Sequence, residues 1–486
     1  MCVPARIIDA YRGDAVKHWN YRKVEVSRDE MPEHHRLAQS LSWPHLIALG
    51  VGAIVGTGIL TLIGVGAGKA GPGVILSFAI AGIICACAAL AYAEVATMIP
   101  ASGSAYTYSY VVFGELLAWI VGWSLILEYS LVVSAVAVGW SGYAAPLLHM
   151  PFALANGPEL GGIVNLPAIA IIVVVAGLLI AGTRESANLN AGLVVIKMVA
   201  LTMFIIVALP FFDATNFEPF MPNGFARSGP PGSEVGVMAA AAIIFFAFYG
   251  FDAIATAAEE TKNPDRDLAI GIVGSMVLCV VIYMAVAAAA IGAIAYTRFA
   301  DSPEPLALIL RELQQPWAAW FLAISAVIAL PTVILAFFFG QSRIFFTMAR
   351  DGLLPPSLAR VSKRGSPVRI TIFTAIVVAV IAGLFPLDEI AALANAGTLC
   401  AFVAVCAAML VLRVREPDRE RKFTTPLPWV VGLAGIAGCL WLFASLPSKT
   451  QLYFVLWNIV GLAVYVVYSA RLAERTRAGG TSIGRG

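Results

Sequence analysis

The chain has 486 residues, of which 60% are apolar and 12% charged, with a mean hydropathy of +0.86. Soluble globular proteins carry about 25% charged residues, so half that share excludes one large water-soluble enzyme and, with it, disorder or a collagen-like repeat. The length holds about a dozen spans of ~20 residues with short loops, and a net charge of +2 implies no nucleic-acid partner.

In chain order, residues 1–44 are polar, with Arg6, Arg12, Lys17, Arg22, Lys23, Arg28 and Arg36 interleaved with acids. They read as a cytoplasmic tail without a cleavable signal. Charge-free stretches then mark candidate spans at 45–68, 74–99, 114–142, 163–182, 190–212, 235–258, 268–295, 317–342, 369–386, 390–412, 427–446 and 451–470. Their order divides the chain into a first five-span block (45–212), a loop (213–234), a second five-span block (235–412), two further spans (427–470) and a basic, Gly-containing tail (471–486). The even-numbered junctions and the tails hold 25 of the 31 Lys and Arg residues. The opposite junctions hold only Lys69, Arg227, Arg298, Arg311 and Lys449, and Lys197 lies within a span. Basic residues collect on the cytoplasmic side, so an even span count with both ends in the cytoplasm is expected, in a cell membrane and surrounded by lipid. Cys85, Cys87, Cys279, Cys400, Cys406 and Cys439 lie in apolar runs, which implies neither a disulfide framework nor a metal site.

Two spans are poor straight helices. The first reads Gly50-Val51-Gly52-Ala53-Ile54-Val55-Gly56-Thr57-Gly58. Glycine weakens a helix by roughly 1 kcal/mol relative to alanine; close packing of small residues, with Gly52 and Gly56 in a GxxxG pattern, is the alternative. The sixth reads Phe245-Phe246-Ala247-Phe248-Tyr249-Gly250-Phe251-Asp252, with a glycine and a carboxylate in an apolar run. These interruptions fall in the first spans of the two blocks, the pattern of an inverted-repeat transporter with a midplane site. An unwound first span offers the N–H groups of Thr57 and Gly58 to an anion, and the carbonyls of Ile54, Phe246, Ala247 and Tyr249 to a cation. That combination fits an α-amino-acid zwitterion.

The runs Gly52 to Ile59, Phe246 to Asp252, Gly340-Gln341-Ser342-Arg343 and Arg350 to Pro355 resemble the amino acid–polyamine–organocation superfamily. So do Tyr92-Ala93-Glu94, Pro100 to Tyr106, Glu128-Tyr129 and Ala258 to Pro264. The chain looks most like the cationic amino acid transporter family and its bacterial proton-coupled relatives, in order across most of residues 40–425. The resemblance implies an all-α polytopic membrane protein of 12 transmembrane helices, a 5+5 inverted repeat of the leucine-transporter type with helices 1 and 6 broken. It implies that Ile54, Gly56, Thr57, Gly58, Phe246, Ala247, Tyr249 and Phe251 hold an amino acid substrate, and that Glu128 lies near its amino end. It also implies that Lys197 stands in for a coupling sodium ion, leaving a proton as the coupling ion and no cofactor.

Lys197, Glu128 and Asp252 are the interior charges. Intramembrane ionisable groups default to function, here proton coupling through Lys197 and Asp252, with a structural salt bridge between these two, or a carboxylate locked by backbone donors at Glu128, as the structural alternatives. Glu94, Glu115, Glu259 and Glu260 lie near span ends and read as anchors or gates, as does the basic 340–355 segment. If span eight follows the family, Phe337 shortens the side-chain pocket and favours small or medium neutral amino acids; its Phe run equally suits core packing. Sodium-independent exchange, a cationic amino acid permease, a nutrient sensor and a polytopic membrane enzyme are the competing readings. No GxxxxGK[ST] or HExxH pattern occurs, and the five histidines lie in tails, at a span edge or in a loop. A small accessory membrane subunit is left open.

Overall fold

A computed structural model describes residues 41–99, 103–181, 187–355 and 368–469. The two tails and the Pro100-Ala101-Ser102 part of one motif lie outside the described residues. Every regular element there is helical, with two isolated bridges, Leu41 to Thr261 and Ser228 to Val235.

The first apolar run is split into α1 (Trp43–Ile54), α2 (Thr57–Leu60) and α3 (Leu62–Ala70). α4 (Val74–Met98), α5 (Ser104–Val112), α6 (Glu115–Leu147), the single turn α7 (Phe152–Ala155), α8 (Leu166–Ala181) and α9 (Ala187–Ala208) follow. The sixth apolar run holds α10 (Val237–Ile244), a 3-10 turn at Phe245–Ala247 and α11 (Asp252–Thr256). The chain continues through α12 (Pro264–Ala293), α13 (Pro305–Glu312), α14 (Pro316–Arg350), α15 (Val368–Leu384) and α16 (Leu387–Arg415). The helices α17 (Pro428–Ser445) and α18 (Ser448–Val464) follow.

Nine helical runs among the described residues are long and apolar enough to cross a membrane. Trp43–Ile54, Leu166–Ala181 and Val368–Leu384 are apolar but shorter. Their outward faces are apolar too: Val173 and Val174 on α8, Val281 on α12, Phe373 and Ile376 on α15, and Val455 and Ile459 on α18 are exposed. Large apolar faces left open on helices whose other sides are packed are what a lipid environment requires.

Several helices outrun the charge-free windows. α14 continues through Gly340-Gln341-Ser342-Arg343 as far as Arg350. It also passes Pro331, whose missing N–H frees the carbonyl four residues earlier. That carbonyl, of Val327, accepts from Trp140 Nε1 at 2.9 Å, and the helix is thereby sustained.

Candidate functional site

The site is assembled where the two interrupted spans cross. α1 stops at Ile54, Val55 is extended (φ −75°, ψ 96°), and α2 restarts at Thr57. In the sixth span the chain leaves the 3-10 turn at Ala247 and restarts at Asp252, with Gly250 at φ +118°. That φ is strained for any residue with a Cβ, and a Cβ at Gly250 would also stand 3.0 Å from the Ala53 carbonyl carbon. The breaks touch a second time at Gly58, where a Cβ would overlap the Ala247 backbone. Gly52, by contrast, packs against Val194 and Asn190 on α9. The glycines of span one therefore serve both readings: Gly52 gives close packing, and Gly56 and Gly58 give the break and the crossing.

The walls come from three other helices. Gly139 of α6 lies against Thr57, and Gly340 of α14 against the Tyr129 ring. Gly397 of α16 lies against Glu128, and Val333 of α14 faces Gly56. The residues named from the sequence are buried in this arrangement: Ile54, Gly56, Thr57, Gly58, Glu128, Phe246, Ala247, Tyr249, Phe251, Phe337, Lys197 and Asp252.

They divide by what they touch. Phe337 and Phe338 point inward and Phe339 outward, under the Arg343 guanidinium. The Phe337 ring meets Tyr129 at a centroid distance of 5.3 Å, and Phe246 meets Tyr249 edge-on at 5.1 Å. Phe251 is held among aromatic side chains, 5.6 Å from Tyr92 and 5.2 Å from Phe402 between centroids. Tyr283 donates to the Ile54 carbonyl at 2.9 Å, so one of the acceptors expected to face a substrate already has a donor.

The structural salt bridge between Lys197 and Asp252 is not formed. Lys197 Nζ donates to the Gly52 carbonyl at 2.9 Å, whereas Asp252 accepts from the Tyr129 hydroxyl at 2.9 Å. The reason is placement: Lys197 reaches the carbonyl end of α1, and Asp252 is the first residue of α11, at that half-helix's positive end. A narrow cavity beside Lys197, lined by Val55, Leu60, Ser325 and Ala329, has room for about one water.

Glu128 is the least satisfied group. It is 1% exposed, and neither carboxylate oxygen has a hydrogen-bond partner among the described residues. Thr398 lies beside it, with its hydroxyl directed to the Ala394 carbonyl at 3.3 Å. The Tyr249 hydroxyl, the Thr57 hydroxyl and one Asp252 oxygen are also buried without partners. These acceptors and hydroxyls, spread along α6 from Glu128 to the Thr57 contact at Gly139, have more capacity than the described residues fill.

The end charges are anchored. Glu94 meets Arg413 at 2.7 Å and the Thr425 N–H at 2.8 Å, Glu115 accepts from Tyr110 and Tyr465 at 3.0 Å each, and Glu260 pairs with Arg343 at 3.2 Å. The Glu259 side chain lies outside the described residues. Sequence reasoning passed over Tyr283, Thr398 and Asn395, all uncharged. Asn395 Nδ2 donates to the carbonyls of Ala242 (2.7 Å) and Ile243 (3.0 Å). Its signal was available as a lone amide among alanines and leucines in mid-span.

Long apolar helices with open outer faces, two helices broken at a shared crossing and an unfilled polar cluster there define a multi-pass membrane protein of the transporter kind. A family model for amino acid permeases matches residues 41–470. The branched-chain amino acid permease BcaP of Bacillus subtilis (strain 168) is 44% identical over 437 residues, 88% of this chain and 92% of that protein. The methylthioribose transporter of the same organism is 41% identical over 444 residues, 90% and 94% of the two chains. Cationic amino acid transporter 2, vacuolar, of Arabidopsis thaliana is 37% identical over 438 residues, 87% of this chain and 67% of that one. The chain belongs to the amino acid permease family of the amino acid–polyamine–organocation superfamily, and is a transporter rather than an enzyme.

Proposed function

We propose that the chain is a secondary transporter that carries neutral L-amino acids across the cell membrane together with a proton. In this reading it crosses the bilayer twelve times as a 5+5 inverted repeat (45–212 and 235–412) plus two helices, with both termini in the cytoplasm. The observation that carries it is Glu128: a buried carboxylate with two empty oxygens, beside the crossing of two broken spans, suits a substrate ammonium. A mid-membrane carboxylate without a partner costs several kcal/mol, and an incoming cation offsets that cost only while bound. The N–H groups at the start of α2 take the carboxylate.

Phe337 sets the side-chain preference. Its ring packs on Tyr129 and closes one wall without offering an acceptor, which disfavours guanidinium and ammonium heads. The branched-chain permease among the relatives supports the neutral preference. Lys197 carries the proton: charged, it holds the Gly52 carbonyl; neutral, it has a weaker grip on α1 at the break.

Uptake of labelled L-leucine and L-alanine into proteoliposomes, without sodium, is expected to rise when an inward proton gradient is imposed. Uptake indifferent to the gradient but supported by counterflow leaves an exchanger. Lys197→Ala is expected to uncouple or abolish uptake, and normal proton-driven uptake by that variant removes the lysine's role. A second reading rests on the similarity to a methylthioribose transporter. A thiosugar has neither ammonium nor carboxylate, so competition by methylthioribose unaffected by Glu128→Gln favours that substrate class.

A further inference from the structure

The two interrupted spans are held by their carbonyl ends in the same register. α1 ends at Ile54, and the carbonyl two residues earlier, that of Gly52, accepts from Lys197 at 2.9 Å. α10 ends at Ile244, and the carbonyl two residues earlier, that of Ala242, accepts from Asn395 at 2.7 Å, with Ile243 at 3.0 Å. Lys197 stands on α9 and Asn395 on α16, the last spans of the two five-span blocks. Both side chains are buried.

The physical need is common to both. The end of a helix leaves its last carbonyls without intrahelical donors, and in mid-membrane no bulk water replaces them. A donor must come from a neighbouring span. Lysine supplies it with a charge. Asparagine supplies it without one, using both protons of its amide. Its Oδ1 is buried without a partner, so the amide is oriented by the two carbonyls alone.

We propose that Asn395 is a positioning residue for transport, the uncharged counterpart of Lys197. It clamps the first half of span six so that Phe246, Ala247 and Tyr249, three to seven residues beyond the clamped carbonyls, keep their place at the crossing with Gly58. The proposal rests on the reading that the substrate sits between the two breaks. One repeat thus has a cap whose charge can change and the other a cap whose charge cannot. Movement of a proton then alters the hold on span one and leaves span six as the fixed half of the site.

The test uses the full-length protein in proteoliposomes with labelled L-leucine and two variants. Asn395→Asp keeps the shape and removes both N–H donors; Asn395→Gln restores both on a longer arm. Losing two buried hydrogen bonds at the site should raise the Asn395→Asp KM about tenfold or more while kcat stays within about twofold. Asn395→Gln should recover part of that loss. Hydrogen–deuterium exchange of the purified proteins should quicken over residues 242–252 in Asn395→Asp and stay unchanged over 264–293. A folded Asn395→Asp protein with wild-type KM and exchange overturns the proposal. A general loss of stability that Asn395→Gln does not restore, or failure of both variants to fold, overturns it as well, since Asn395 would then support the whole bundle. If the wild type takes up neither leucine nor alanine, the transport reading itself fails; the exchange over 242–252 still reports whether Asn395 clamps span six.

Discussion

Glu94 and Glu128 are the same residue type at the same burial, each 1% exposed, on the long helices α4 and α6. Their surroundings are opposite. Glu94 receives Arg413 at 2.7 Å and the Thr425 N–H at 2.8 Å, with Arg421 at 3.4 Å from its other oxygen. Glu128 receives no donor among the described residues. Taking a carboxylate out of water is expensive unless charge and hydrogen bonds replace the lost hydration. Around Glu94 the chain replaces that hydration itself, tying the end of α4 to the end of α16 and the loop beyond it. Around Glu128 no described residue replaces it. Burial alone does not separate an anchor from a binding group; the inventory of partners does.

The comparison breaks hardest at Glu128. Glu128→Gln is expected to lower leucine uptake about a hundredfold, the scale of a lost hydrogen bond to a charged group at the upper end of its range. Its thermal midpoint should equal or exceed that of the wild type, because an uncompensated buried charge is removed. A lower midpoint with unchanged KM would make Glu128 an anchor like Glu94. The reverse pattern is expected at Glu94. Glu94→Gln strands Arg413 and should cost about 3 kcal/mol of stability, with KM per folded molecule close to wild type. Thermal unfolding measured beside uptake on the same preparations separates the two patterns.

Phe337 sharpens the comparison from the apolar side. Phe337→Ala is expected to change the leucine-to-alanine selectivity ratio about tenfold in favour of the larger side chain, the scale of a few methylenes in a pocket. Competition assays with the two amino acids read this directly, and an unchanged ratio returns Phe337 to core packing.

The breaks were legible in the sequence because glycine in a long apolar run has a local meaning. Gly250 takes φ +118° and Gly58 allows a backbone approach no other residue permits. Span limits were legible where charge marks them: the 74–99 window becomes Val74–Met98. They were less so where a helix continues past a glycine or proline, as α14 does beyond Gly340. Partner choice was the opaque part. The donors to Glu94 lie more than 300 residues away in the chain. Tyr283 on Ile54 and Asn395 on α10 are uncharged groups whose work is to fill backbone carbonyls. A scan for charge passes them by, and only the fold says which carbonyls a break has left open.

A third glutamate gives the smallest and most graded test. Glu234, in the loop before α10, is buried like the other two and, like Glu94, has donors of its own. It accepts from Arg227 and the Ser448 N–H at 3.0 Å and from the Gly232 N–H at 2.9 Å, and its own carbonyl receives Lys69. Burial pushes its carboxyl upward, but the Ser448 N–H, Arg227 and Gly232 outweigh it and hold the group below the usual glutamate value. A group lowered in the folded state adds stability above its unfolded value and loses it as pH falls through the folded one. The thermal midpoint of the wild type should therefore exceed that of Glu234→Gln by a constant margin near neutrality. The margin should shrink as pH falls through and below the ordinary carboxylate range, about 4. A margin that widens toward acid reverses the sign and would mean that burial, rather than the three donors, governs this carboxylate.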